Sequence, residues 1–124
     1  MINFPKPIFF IICVIFSQTA FSQTSVEGQC IAYLYKEGQA RGGVNNIDPP
    51  YKRYWNKNQA SIDAIFNTLK KHPNCTTANT DLESCLKKNS VNSNTIKLVL
   101  GFNTGLTLYK DNNFRQNASL ACAE

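Results

Sequence analysis

The cysteines constrain this chain more than any other feature of its sequence. Five are present in 124 residues, and one of them, Cys13, lies inside an N-terminal apolar run. The other four are spread over the rest of the chain: Cys30, Cys75, Cys85 and Cys122. None of these forms a C-x-x-C pair and the only histidine is His72, so the spacing of a zinc site is missing. We therefore expect two disulfides, which are typical of small exported domains.

The first 22 residues have the pattern of a secretory signal peptide. Lys6 precedes nine consecutive apolar residues, and the small residues Ala20 and Ser22 follow where a signal peptidase cleaves. Nine apolar residues are too few to span a bilayer, which takes about 20. We therefore expect a signal peptide at residues 1–22. Residues 23–124 are expected to form one exported domain, periplasmic or secreted, with no stable membrane insertion after the signal is removed.

Three pairings of four cysteines are open from sequence alone. We favour Cys75 with Cys85, which closes a short connection between two predicted helices, and Cys30 with Cys122, which ties together the ends of the exported domain. In the chain-entropy description these loops contribute roughly 3 and 4.5 kcal/mol. Such contributions matter because a chain of about 100 residues has a total stability of only about 5–15 kcal/mol.

Apolar residues recur with helical spacing over most of the exported domain. This periodicity predicts helices over residues 25–37, 62–72, 81–88 and 114–122. Pro73 is expected to end the second helix, and Thr80 with Glu83 fits a capping box at the start of the third. Residues 38–50 are expected to form a loop, because Pro49 and Pro50 do not continue a helix.

Residues 95–109 fit two structures. Their apolar residues alternate as in a β-hairpin that turns near Asn103. They also form helical stripes, and Gly101 with Gly105 would let a neighbouring helix approach closely. The length of the segment and the helices around it favour the helix. The sequence therefore predicts an all-α, disulfide-stapled bundle of four to five helices, with an α+β fold carrying a hairpin at 95–109 as the alternative.

The sequence lacks the common catalytic motifs. It contains no nucleophile elbow, H-E-x-x-H pair, P-loop or EF-hand. His72 suits the last turn of a basic helix, where a cation complements the helix dipole. The carboxylates that could serve glycoside hydrolysis, Asp63, Asp81 and Glu83, each fit a helix surface or a cap. We therefore expect no enzymatic activity, no cofactor and no metal.

An aromatic and basic segment follows the two prolines. Tyr51, Arg53 and Tyr54 are the candidate partner-binding residues, because tyrosine and arginine often anchor protein interfaces. In the competing interpretation Trp55 and one tyrosine fill the core. The formal net charge is +5, but lysine and arginine occur in pairs rather than in long runs, so no nucleic-acid partner is expected.

Three segments resemble the type VI secretion amidase immunity family. Residues 30–34, Cys-Ile-Ala-Tyr-Leu, look like its C-x-G-Y-I segment on the first helix. Residues 58–73, which end in Leu-Lys-Lys-His-Pro, are similar to its L-x-x-H-P helix, and residues 81–86 resemble its next helix. The resemblance implies a periplasmic protein that binds and blocks a cell-wall-degrading amidase effector. The alternative is a periplasmic structural or stress-response helical domain without catalytic activity.

Overall fold

The computed structural model of the protein describes residues 25–123, so the predicted signal peptide at 1–22 lies outside the described part. Six α-helices occupy these residues: α1 (Val26–Ala40), α2 (Pro49–Lys57), α3 (Gln59–Lys71), α4 (Leu82–Lys88), α5 (Ser93–Leu108) and α6 (Asn112–Ala121). Short 3₁₀ helices lie at Val44–Asn46 and Pro73–Thr76. Residues 25–123 contain no strand. The predicted all-α, disulfide-stapled fold is confirmed, and residues 95–109 adopt the helical alternative.

Helix α1 is the centre of the bundle. Ser25 caps its first turn, where the Ser25 hydroxyl accepts a 3.0 Å hydrogen bond from the Gly28 amide. Every residue from 28 to 34 is buried, so neighbours surround this part of α1 on all sides. The helix extends to Ala40, three residues past the predicted end at residue 37.

Helices α1 and α5 pack with their backbones close together. A methyl group added to Gly28 would lie 2.4 Å from the Leu98 carbonyl oxygen, and one added to Gly101 would lie 2.4 Å from the Ser25 carbonyl oxygen. A methyl group on Gly105 would lie 2.7 Å from Cβ of Ala32. These distances confirm the close approach that glycines in α5 were expected to permit.

The same contacts show that α1 and α5 run in the same direction. Gly101 meets Gly28 near the start of α1, whereas Tyr109, one residue beyond α5, hydrogen-bonds Glu37 near the end of α1. A parallel pair of helices needs a long connection. Helices α2, α3 and α4 supply it, and α6 then returns along α1 to the disulfide.

Helix α2 corrects the loop predicted for residues 38–50. The helix begins at Pro49, and the Asp48 carbonyl oxygen accepts a 3.0 Å hydrogen bond from the Lys52 amide. Proline suits this position, because its fixed φ matches a helix and its missing amide hydrogen would have no partner in the first turn. Tyr51, Arg53 and Tyr54 therefore lie on a helix.

Two groups of side chains form the core. In the larger one, Phe66 of α3 and Phe102 of α5 have ring centroids 5.3 Å apart, and Tyr35 of α1 lies against both. The smaller one surrounds Phe114 of α6. Trp55 of α2 packs against both groups and so connects them.

The structure contains the two disulfides that the sequence favours. Cys30 of α1 is joined to Cys122, which follows α6, with 5.4 Å between their Cα atoms. Cys75 of the second 3₁₀ helix is joined to Cys85 of α4, with 5.5 Å between their Cα atoms. The first bridge fixes α6 against α1, and the second holds the turn between α3 and α4.

The capping box predicted at Thr80 and Glu83 is wrong. Asp81 is the N-cap of α4, and its carboxylate accepts a 2.8 Å hydrogen bond from the Ser84 hydroxyl. The Thr80 hydroxyl instead hydrogen-bonds the Thr77 hydroxyl. Glu83 forms an ion pair of 3.2 Å with Lys87 one turn later. The helix thus starts one residue later than the capping box requires.

Candidate partner-binding surface

The predicted binding residues lie within about one turn of α2. Arg53 is exposed, whereas Tyr51 and Tyr54 are half-buried against the smaller core group. The Tyr51 hydroxyl donates a 2.8 Å hydrogen bond to the Ser119 carbonyl oxygen of α6. The aromatic residues of α2 therefore have one side in the core and one side at the surface, and Trp55 is likewise half-buried.

The structure adds two tyrosines that were not among the predicted binding residues. The Tyr33 ring of α1 lies between the rings of Tyr51 and Tyr109, with centroids 6.2 and 6.1 Å away. Tyr33 is 6% exposed, whereas Tyr109 is half-buried. We call Tyr33, Tyr51, Tyr54 and Tyr109 the tyrosine cluster. No local pattern could have found it, because its members come from distant parts of the sequence.

Charged side chains border the tyrosine cluster. The Arg41 guanidinium lies 3.9 Å from the Glu37 carboxylate and 3.1 Å from the Asp48 carboxylate. The Arg115 guanidinium lies over the Tyr109 ring, 5.5 Å from its centroid, and the Lys36 ammonium lies 5.8 Å from the same centroid. Cations over aromatic rings are attracted by the ring quadrupole. The cluster is thus bordered by cations held in place by carboxylates and rings.

Both inner phenols stay protonated at neutral pH. Burial raises the pKa of Tyr33 to about 12, and the nearby Glu37 carboxylate adds to the effect. Burial also raises the pKa of Tyr109 to about 12, together with its hydrogen bond to Glu37. Neutral phenols donate hydrogen bonds and bury aromatic area, so the chemistry of this surface suits binding.

The residues considered for catalysis lie apart from this surface. His72 is half-buried at the end of α3, where its backbone amide donates a 3.0 Å hydrogen bond to the Thr68 carbonyl oxygen. Asp81 caps α4 and Glu83 pairs with Lys87. Between residues 25 and 123 there is no group of three or more His, Cys, Asp or Glu side chains placed to hold a metal ion.

No helix within residues 25–123 combines the length and the apolar character that crossing a bilayer requires. Comparisons with protein-family models, with curated protein sequences and with solved structures found no match to this chain. Functional inference therefore depends on the residues and their arrangement.

Proposed function

We propose that this protein is an exported binding protein that neutralises a cell-wall-degrading amidase effector, as an immunity or inhibitor protein does. The observation that carries the proposal is the outer side of α2. There the exposed Arg53 comes directly before the half-buried Tyr54 and two positions after the half-buried Tyr51. Tyrosine and arginine are enriched among the residues that contribute most to protein–protein binding.

The anchoring of Tyr51 supports this role. Its hydroxyl is fixed by the Ser119 carbonyl oxygen, and its ring is fixed edge-on against Tyr33 at 6.2 Å. A side chain already held in one conformation loses little entropy when a partner binds. The surface therefore needs little rearrangement before it meets a rigid partner.

Export is supported by separate observations. Two disulfides connect the helices, and disulfides persist in oxidising compartments. The apolar residues 8–16, with Lys6 before them and Ala20 after them, have the order of a signal peptide. The resemblance of residues 30–34 and 58–73 to the amidase immunity family supports an amidase as the partner.

A charge reversal on α2 tests the proposal. The exported domain is mixed with a panel of peptidoglycan amidases, and both cross-link hydrolysis and binding by calorimetry are measured. We expect one amidase to be inhibited and Arg53→Glu to weaken that complex by about tenfold or more, because removal of a hot-spot residue costs about 2 kcal/mol. The matched control is Lys88→Glu, which makes the same charge change at an exposed position of α4. Inhibition of no amidase, or equal weakening by both variants, would contradict the proposal.

A structural or stress-response domain without a tight partner is the second candidate. This candidate is favoured by the packing of Tyr51 and Trp55 against the core, because stabilising the fold would explain these side chains without any binding partner. Under this alternative Tyr54→Ala lowers the free energy of unfolding, whereas Arg53→Glu leaves the cellular phenotype unchanged. A tight complex weakened by Arg53→Glu would exclude it.

A further inference from the structure

A second concave surface lies at the opposite end of α5 from the tyrosine cluster. This groove runs between the end of α3 and the start of α5 and has a volume of about 630 Å³. Pockets for small ligands span about 300–1,000 Å³. Its polar lining includes Lys70, Lys71, Asn89, Asn92 and Thr95. The groove is therefore large enough for a small polar molecule.

Within residues 25–123, no carboxylate neutralises the positive charge of the lysines that line the groove. No aspartate or glutamate lines it. Neither Lys70 nor Lys71 forms an ion pair with a carboxylate in the described part of the chain, in contrast to Lys87 and Arg41. Cations that line a concave surface reinforce one another, because the protein walls exclude solvent and focus the field. The lining thus favours an anion.

The first turn of α5 adds to this potential. This helix has 16 residues and no acidic residue in its first turn, which is where a carboxylate would otherwise offset the positive end of the dipole. The Asn92 side chain accepts a 2.9 Å hydrogen bond from the Thr95 amide and so fixes the rim of the groove. The two lysines and the positive end of the α5 dipole therefore both make the electrostatic potential in the groove more positive.

The kind of anion follows from the other lining groups. Apart from Val91 they are amides, hydroxyls and the His72 imidazole, all of which can donate hydrogen bonds to oxygen, and no phenylalanine, tyrosine or tryptophan lines the groove. We propose that the groove binds a phosphate-bearing anion, held by Lys70 and Lys71 beside the first turn of α5. The phosphate comes either from a free compound or from a lipid headgroup, and the two sources share this chemistry.

Calorimetry and vesicle co-sedimentation test the groove on the exported domain. The probes are inorganic pyrophosphate and vesicles of phosphatidylglycerol in phosphatidylcholine. We expect the double variant Lys70→Gln, Lys71→Gln to bind about tenfold or more weakly. Each substitution removes a charge-assisted hydrogen bond to the anion, and such bonds are stronger than those between neutral groups. The matched control, Lys52→Gln with Lys110→Gln, removes the same charge at positions that do not line the groove. Thermal unfolding verifies that both variants fold.

Each outcome separates the possibilities. Binding of pyrophosphate that only the groove variant loses supports a free phosphate compound as the ligand. Binding confined to the vesicles, again lost only in the groove variant, supports a lipid headgroup. If the groove variant and the control variant lose binding equally, the binding depends on the overall charge of the protein, and the proposal is overturned. Failure of both probes to bind the unaltered protein overturns it as well.

Discussion

The Tyr109 hydroxyl donates a 2.5 Å hydrogen bond to the Glu37 carboxylate across 72 positions of sequence. This bond joins the end of α5 to the end of α1, while Gly101 in the middle of α5 meets Gly28 near the start of α1. Helix α1 is thus fixed against α5 near both ends of α1, by close backbone contact at one and by a charged hydrogen bond at the other.

Tyr109→Phe removes that hydrogen bond and keeps the ring. We expect the free energy of unfolding to fall by about 1–2 kcal/mol, because hydrogen bonds to charged groups contribute about this much when half-buried. Urea unfolding measures the change. Tyr35→Phe is the matched control, since the Tyr35 hydroxyl makes no hydrogen bond to residues 25–123 while its ring packs against Phe66. A loss as large for Tyr35→Phe would contradict this role of the Glu37 contact.

Stability is expected to decrease in strongly alkaline solution. In the unfolded chain Tyr33 and Tyr109 lose their protons near pH 10, but in the folded protein they do so near pH 12. The unfolded state therefore releases protons first, and the stabilisation that is complete below pH 10 is lost as the pH rises towards 12. Unfolding by urea at a series of pH values measures this loss. A Tyr33→Phe, Tyr109→Phe double variant should show a flatter curve, and an equally steep curve would argue against these two groups.

Gly28→Ala should disrupt the contact between α1 and α5. The added methyl group would lie 2.4 Å from the Leu98 carbonyl oxygen, and backbone on both helices would have to shift. We expect a loss of about 1–3 kcal/mol, as for other overpacked cores, although alanine favours helix formation more than glycine. Thermal unfolding measures the effect, with Asn103→Ala on the exposed side of α5 as the control. Unchanged stability in Gly28→Ala would show that the helices separate easily.

The two disulfides should differ in their contribution to stability. Cys30 and Cys122 are separated by 92 positions, whereas Cys75 and Cys85 are separated by 10. In the chain-entropy description, replacing the first pair by serine costs about 4.5 kcal/mol and replacing the second about 3 kcal/mol. Guanidinium unfolding of the two double variants measures the difference. A larger loss for the shorter loop would mean that local packing near Cys75, rather than chain entropy, dominates.

Much of the fold could be predicted because its determinants are local. Apolar periodicity located α1, α3 and α6 to within a few residues, and the spacing of the cysteines favoured the pairs that the structure contains. Helix α2 was missed because proline can either end a helix or occupy its first turn. Pro49 occupies the first turn of α2. The start of α4 was misplaced by one residue because the spacing of Thr80 and Glu83 matches a capping box, whereas Asp81, the stronger N-cap residue type, is the N-cap in the structure.

The candidate site was only partly predictable. Tyr51, Arg53 and Tyr54 are neighbours in sequence, so their composition alone drew attention to them. Tyr33 and Tyr109 join them only because α1 and α5 are parallel, and nothing in the sequence near either residue indicates that direction. The basic groove was missed for the same reason, since Lys70 and Thr95 meet only in the folded bundle.

The central position of α1 has a consequence for the order of folding. Its buried residues 28–34 contact α5 and α6, which are the two helices furthest along the sequence within residues 25–123. Contacts between such distant segments form late, because a long loop must close first. A growing chain therefore keeps α1 without these core neighbours until α5 and α6 have emerged. Oxidation of Cys30 with Cys122 would then report that the last helix has docked.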